Sequence, residues 1–307
     1  MLSPTLPRSI FQLGLLGLLA SASAWAGTPI NQTRALNADG QVSIDNLKGR
    51  IVVRTWAQPQ VRITGTLGAG VEKLLVEGDA GSLRIEVKYP ESHGWNLWGK
   101  SNQAEPSVLE VTVPQHASLS LDSVSADIDV QQMAGRKLTS ETVSGDTRIT
   151  ASSPGNTQVE SVSGNVFLRI TTAKVSVESV SGDIDLQGGL SGDVHLESVS
   201  GDVRLGAGRL DSLNLDTVSG DAVLQMDMTP TGVVKTDSVS GNVELALPRS
   251  ASARLHVETF SGDITSDIGQ ARKESEGPGK TLDARLGAGQ AEIHLETFSG
   301  DVRVRWQ

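Results

Sequence analysis

The stretch Val175-Ser-Val-Glu-Ser-Val-Ser-Gly-Asp-Ile-Asp-Leu186 decides the fold. Apolar side chains alternate with polar ones on both sides of Ser-Gly-Asp, the period of two that belongs to a half-buried strand. Ser-Gly-Asp is turn chemistry, so the stretch reads strand, turn, strand. With Val175 and Val177 inward, Ser179 follows them inward and Glu178 faces out. Val180 breaks the alternation and places a corner between Ser179 and Val180.

The pentapeptide inside this stretch recurs. Copies begin at Ser123, Thr142, Ser161, Ser179, Ser198, Thr217 and Ser238, and Thr259 and Thr297 open two more with Phe in second place. Its fourth position advances from Ala126 by 19, 19, 18, 19, 19, 21, 21 and 38 residues. The last step is twice 19 and predicts one degenerate copy between Gly262 and Gly300. Gly145, Gly164, Gly182, Gly201, Gly220, Gly241, Gly262 and Gly300 are the structural turn residues, expected at a positive φ that a Cβ would penalise.

No 3.6-residue pattern competes, and two short strands cannot bury an apolar edge alone. Stacking successive units about 4.8 Å apart merges those edges into one core. The expected fold is all-β: a single-domain β-solenoid (β-helix or β-roll), right-handed, with rungs of about 19 residues and two short strands per rung. Some 14 rungs would make a rod roughly 60–70 Å long.

Outward from the repeat, residues 116–307 read as regular rungs with a loop at 269–280. Residues 27–115 read as divergent rungs and a cap with a loop at 89–106. Gly49 lies 77 residues, close to four periods, before Ala126, so Ile44 to Ile51 is a worn copy. Residues 1–26 read as a signal peptide: Arg8 supplies the positive charge, Ile10 to Ala20 the apolar run, and Ala24-Trp25-Ala26 the small-x-small cleavage site. That run is well short of the roughly 20 residues needed to span a bilayer, so no stable membrane span is expected in the mature chain.

Composition narrows the function. Without Arg8 the mature chain carries 25 Lys and Arg against 36 Asp and Glu, which repels phosphate backbones and argues against nucleic acid. With no cysteine there is neither a disulfide nor a lipid-modified thiol. Aromatic residues are only 3%, so Val, Leu and Ile must build the core.

The Ser-Val-Ser-Gly-Asp and Thr-Phe-Ser-Gly-Asp units, the Ile44–Val53 opening and the strand ending at Pro114 resemble the bacterial putative-adhesin family of β-strand-repeat domains, also called toastrack domains, over residues 40 to 307. The resemblance implies an extracytoplasmic β-solenoid linked to adhesion or envelope-stress signalling, without an established enzyme activity. Its motif marks fold rather than chemistry. Ala126 for Gly, and Asn165 and Asn242 for Asp, are departures that suit a structural turn.

Candidate chemistry is sparse. One acidic file runs through Asp122, Glu141, Glu160, Glu178, Glu197, Asp216, Asp237, Glu258 and Glu296, and a second carries the Asp or Asn after the turn glycine. Stacked carboxylates suit calcium, but a turn Asp accepting backbone N–H bonds of its own turn is the simpler account, and no cofactor or metal is expected. His195, His256 and His294 share a repeat position, with expected separations of about 14 and 10 Å that are too long for one metal ion. Arg148, Arg204 and Arg303 share a slot that other rungs fill with unrelated residues, and no nucleophile or phosphate motif is present. No catalytic residue is expected. Trp95 and Trp98, in the loop at 89–106, are candidates for a ligand-contact loop or an edge cap.

The expectation is an exported, non-enzymatic envelope protein, periplasmic or at the cell surface. It would act as an adhesin-like scaffold for an envelope protein or a glycan. A periplasmic component of an envelope-stress system is the alternative, and a carbohydrate-active β-helix the second alternative.

Overall fold

Val175, Val177, Ile184 and Leu186 are each 2% exposed or less, and Ser179 is buried beside them. Val180 is 47% exposed, so the chain turns its corner between Ser179 and Val180. The computed structural model describes residues 27–90, 104–274 and 277–307, and among these the chain is strand and turn with no helix. None is therefore long and apolar enough to cross a membrane.

Successive units pair in parallel and in register. Thr157, Val159 and Glu160 lie against Val175, Val177 and Glu178, and Val166 and Leu168 against Ile184 and Leu186. Like therefore stacks on like: Leu168, Leu186, Leu205, Leu224 and Leu245 form one internal column, all 2% exposed or less. Each such side chain contributes roughly 1.5–3 kcal/mol through burial. The result is a solenoid-like stack with an aliphatic core.

The turn glycines serve a purpose other than the one expected. Of the eight, only Gly220 has a positive φ, 149°. The constraint is contact between rungs. A Cβ on Gly164 would lie 2.0 Å from the Gly145 carbonyl oxygen, one on Gly182 2.1 Å from that of Gly164, and one on Gly201 2.1 Å from that of Gly182. Ala126 stacks on Gly49, whose φ of 117° gives that rung a different turn.

The Asp that follows is also satisfied between rungs, and not within its own turn. The Asp202 N–H donates to Asp183 Oδ1 at 3.0 Å, and the Asp221 N–H to Asp202 Oδ1 at 3.0 Å. Asn165 and Asn242 keep the accepting oxygen, and their amides donate to the neighbouring Asp as well. The side-chain oxygen is required and the charge is not, which is why Asn is tolerated there. Inside the corner, Ser179 Oγ accepts the Gly182 N–H at 3.0 Å and donates to the Gly182 carbonyl at 2.7 Å.

Spatial order departs from chain order at both ends. After Val243–Leu247 the chain skips one position, forms Ala253–Thr259 and Ile264–Ser266, and turns back through Lys280–Arg285, which pairs antiparallel with Ala253–Thr259. Ala291–Ser299 and Val302–Trp306 then slide into the vacant position, parallel to their neighbours on both sides. Among the described residues no degenerate copy lies between Gly262 and Gly300, where the chain makes a cap and a return. The expected loop at 269–280 contains the short strand Arg272–Lys273, paired with Lys280–Arg285.

The N-terminal end repeats the device. Gln41–Trp56 lies between Ser118–Gln131 and a rung made of Ser82–Lys88 and Ser107–Pro114. Antiparallel strands Gln60–Leu67 and Lys73–Gly78 cover that outer rung. Among the described residues the parallel rungs number eleven rather than 14, a stack of about 50 Å.

Candidate functional site

Because every rung turns the same corner, the residue on each side of it forms a file. The residue after the corner is apolar and exposed: Val124, Val143, Val162, Val180 and Val199 are each 45–47% exposed. Val218, Val239, Phe298 and Phe260 continue the ridge, and the two Phe rings stack at 4.9 Å. The residue before the buried Ser or Thr is the outward acid. Between the apolar ridge and the acidic file runs a groove of about 790 Å³, from Glu86 and Tyr89 past Glu141, Glu160 and Glu178 to Glu197 and Val199. A second stretch of about 520 Å³ extends it through Val218 and Asp237 to Phe298.

One acid in this groove, Asp122, has its charged form disfavoured. Burial first, and then the charges of Asp45 and Glu141, push the Asp122 carboxyl up to about 6, with Arg84 opposing weakly. Arg84 is held by Asp45 at 3.0 Å and by Glu86 at 3.2 Å. Farther along, Glu141, Glu160 and Glu178 have no salt-bridge partner among the described residues, while Lys235 closes on Asp237 at 2.8 Å. At the outer end the Tyr89 hydroxyl donates to Asn46 Oδ1 at 3.0 Å, and burial raises its pKa.

The histidine spacing expected from the repeat fails because of the interleaved end. His256 and His294 are on adjacent rungs, with rings stacked 5.0 Å apart and nearly parallel. His195 stands elsewhere in the file, where its Nε2 meets Glu197 at 2.8 Å; with Asp216 these two place ligand atoms within 4.8 Å of one another. Arg148 and Arg169 lie over the Phe167 ring, at 4.5 and 5.0 Å from its centroid. Trp95 and Trp98 fall outside the described residues.

The acidic file and the corner were legible in the sequence, but the groove was not. Its signal was there: the apolar residue in second place of the pentapeptide interrupts the alternation in all nine copies, which a buried position would not require.

Fold and groove define an all-β repeat protein that displays one continuous mixed acidic and apolar surface rather than an enclosed pocket. The chain belongs to the family described as Toastrack DUF4097, whose model matches residues 41–305. Among solved structures it is similar to a putative lipid binding protein from Parabacteroides distasonis ATCC 8503, at 12% identity and a TM-score of 0.52 over 92% of this chain and 97% of that one. It also matches a putative adhesin from Bacteroides fragilis NCTC 9343, at 13% identity and a TM-score of 0.40 over 91% and 97%. A third match is a putative cell adhesion protein from Clostridium sporogenes ATCC 15579, at 10% identity and a TM-score of 0.24 over 91% and 100%. At 12% identity the likeness to the first of these speaks to fold alone. Comparison with curated proteins finds no match.

Proposed function

We propose that the protein is an exported, non-enzymatic envelope scaffold, wound right-handed, that holds a basic amphipathic segment of another protein in the groove. The observation that carries this is the groove itself: an exposed valine ridge and a partly unneutralised acidic file, parallel over several rungs. A helix bearing one apolar and one basic stripe matches both walls. Its pitch of about 5.4 Å lies close to the spacing of about 4.8 Å between rungs, whereas same-side residues of an extended strand recur every ~6.8 Å. A second copy of this chain would bring acids against acids. An anionic lipid surface would meet the same repulsion, although one structural relative is described as a lipid-binding protein. Glycan recognition usually uses aromatic platforms, and the groove walls are mainly valine and carboxylate. Periplasmic or surface placement follows from the signal-like residues 1–26. Recognition of an envelope partner's helix would equally suit a signalling component.

Titration of the mature chain with a synthetic Lys/Leu amphipathic helical peptide tests this reading. Binding is expected to weaken at least tenfold in Glu160→Lys/Glu178→Lys, about 1.4 kcal/mol, and to fall steeply with salt. Equal binding of a Glu/Leu peptide, or no loss in the charge-reversed variant, would contradict it.

A further inference from the structure

The interleaved C-terminal end assembles a second cluster at the last rungs of the acidic file, where Glu296 lines the groove's second stretch. His256 and His294 face the same side of adjacent rungs, two residues before Glu258 and Glu296. Each Nε2 lies 3.8 Å from the glutamate on its own strand. His256 Nδ1 is 2.8 Å from Asp283 Oδ1, on the antiparallel cap strand opposite. A carboxylate bonded to Nδ1 fixes the proton there and leaves the Nε2 lone pair free, the arrangement that orients metal-binding histidines. Both rings are roughly 40% exposed, so an ion has a path to them.

We propose that a divalent d-block ion of the zinc class binds between His256 and His294, with Glu258 and Glu296 completing its ligands and Asp283 orienting His256. Imidazole nitrogen with carboxylate oxygen suits such an ion and not calcium. Bonds of about 2.0–2.1 Å require the two Nε2 atoms to approach to roughly 3.3–4 Å, which the His294 ring, stacked 5.0 Å away, reaches by turning about its side-chain bonds while Asp283 holds His256. Lys235, the neighbour of His294 on the next rung, is occupied by Asp237 at 2.8 Å. The other candidate, His195 with Glu197 and Asp216, offers a single nitrogen already bonded to Glu197. The bound ion would fasten the returning strand Ala291–Ser299 to Ala253–Thr259, which the chain's order leaves to be inserted last.

Calorimetric titration of the metal-free mature protein with Zn²⁺ tests this directly. One saturable site in the micromolar range is expected, with a rise in Tm of about 5 °C at 100-fold excess over Kd. His256→Ala and His294→Ala should each weaken binding at least tenfold and abolish the rise, Glu296→Gln should weaken it several-fold, and His195→Ala should leave it intact. Absence of saturable binding to the wild-type chain overturns the proposal whatever the variants do. So does undiminished binding by the folded double variant, or loss in His195→Ala alone.

Discussion

From Ser118 to Leu247 each repeat lies against the repeat before it, whereas from Ala253 to Trp306 the last repeat lies inside the one before it. The two regions use the same pentapeptide, the same Asp ladder and the same glycine contact. Register is therefore a local property: the Gly contact and the Asp or Asn oxygen align any rung with any other. Order is decided separately, by which edges are vacant when the chain returns and by the antiparallel strands that close the ends. Both ends solve one problem, since an open parallel rung exposes a row of unpaired backbone groups that would recruit another chain. Skipping a position, folding a cap and returning to fill the gap leaves the Ala253–Thr259 half of the outermost C-terminal rung covered by its own chain.

Substitution of equivalent glycines sharpens this comparison most. Gly182→Val drives its Cβ to within 2.1 Å of the Gly164 oxygen between two well-formed rungs, and a loss above about 4 kcal/mol is expected in chemical denaturation. At Gly262 the same contact with Gly300 exists at 2.1 Å, but Ile264–Ser266 is only half-buried and ends the parallel stack. Gly262→Val should cost less than half as much, because the last rung can peel without disturbing the rest. Equal losses would mean that the ends are as rigid as the middle.

A smaller effect comes from the groove. The Asp122 carboxyl is raised by burial and by its acidic neighbours, so the folded state holds its proton more tightly than the unfolded chain. Both states are protonated below about pH 4, and stability is lost as pH rises from there through about 6, leaving the full penalty above it. Asp122→Asn removes that penalty. After allowance for solvent screening it is expected to raise stability by up to about 1 kcal/mol at pH 8, or a few degrees in Tm, and by almost nothing at about pH 3. The same gain at both pH values would show that ionisation of Asp122 carries no penalty in the fold.

Much of this architecture was legible in the repeat. Inward Val and Ile, outward Glu and the corner at Ser179–Val180 follow from period-two alternation, which local sterics enforce. What was not legible depends on a neighbouring rung. Glycine was expected to serve backbone φ and serves contact with the next rung; the Asp was expected to cap its own turn and caps the neighbour's. The His256–His294 pair, expected two rungs apart, is adjacent because the return of Ala291–Ser299 is a long-range choice that no spacing of 38 residues records. The groove was missed for a related reason: its two walls come from positions on either side of the corner that become parallel only once the stack exists.

Spatial order is the central claim, and the absence of native cysteine makes it directly measurable. Ser240 is paired with Ser299 on the adjacent rung, both exposed, while Ser261 lies one rung farther on, about 10 Å away. Under mild oxidation Ser240→Cys/Ser299→Cys should form an intramolecular disulfide rapidly and nearly completely, and Ser240→Cys/Ser261→Cys should not. Efficient crosslinking of the second pair and not the first would show that the repeats stack in chain order and would contradict the interleaved end.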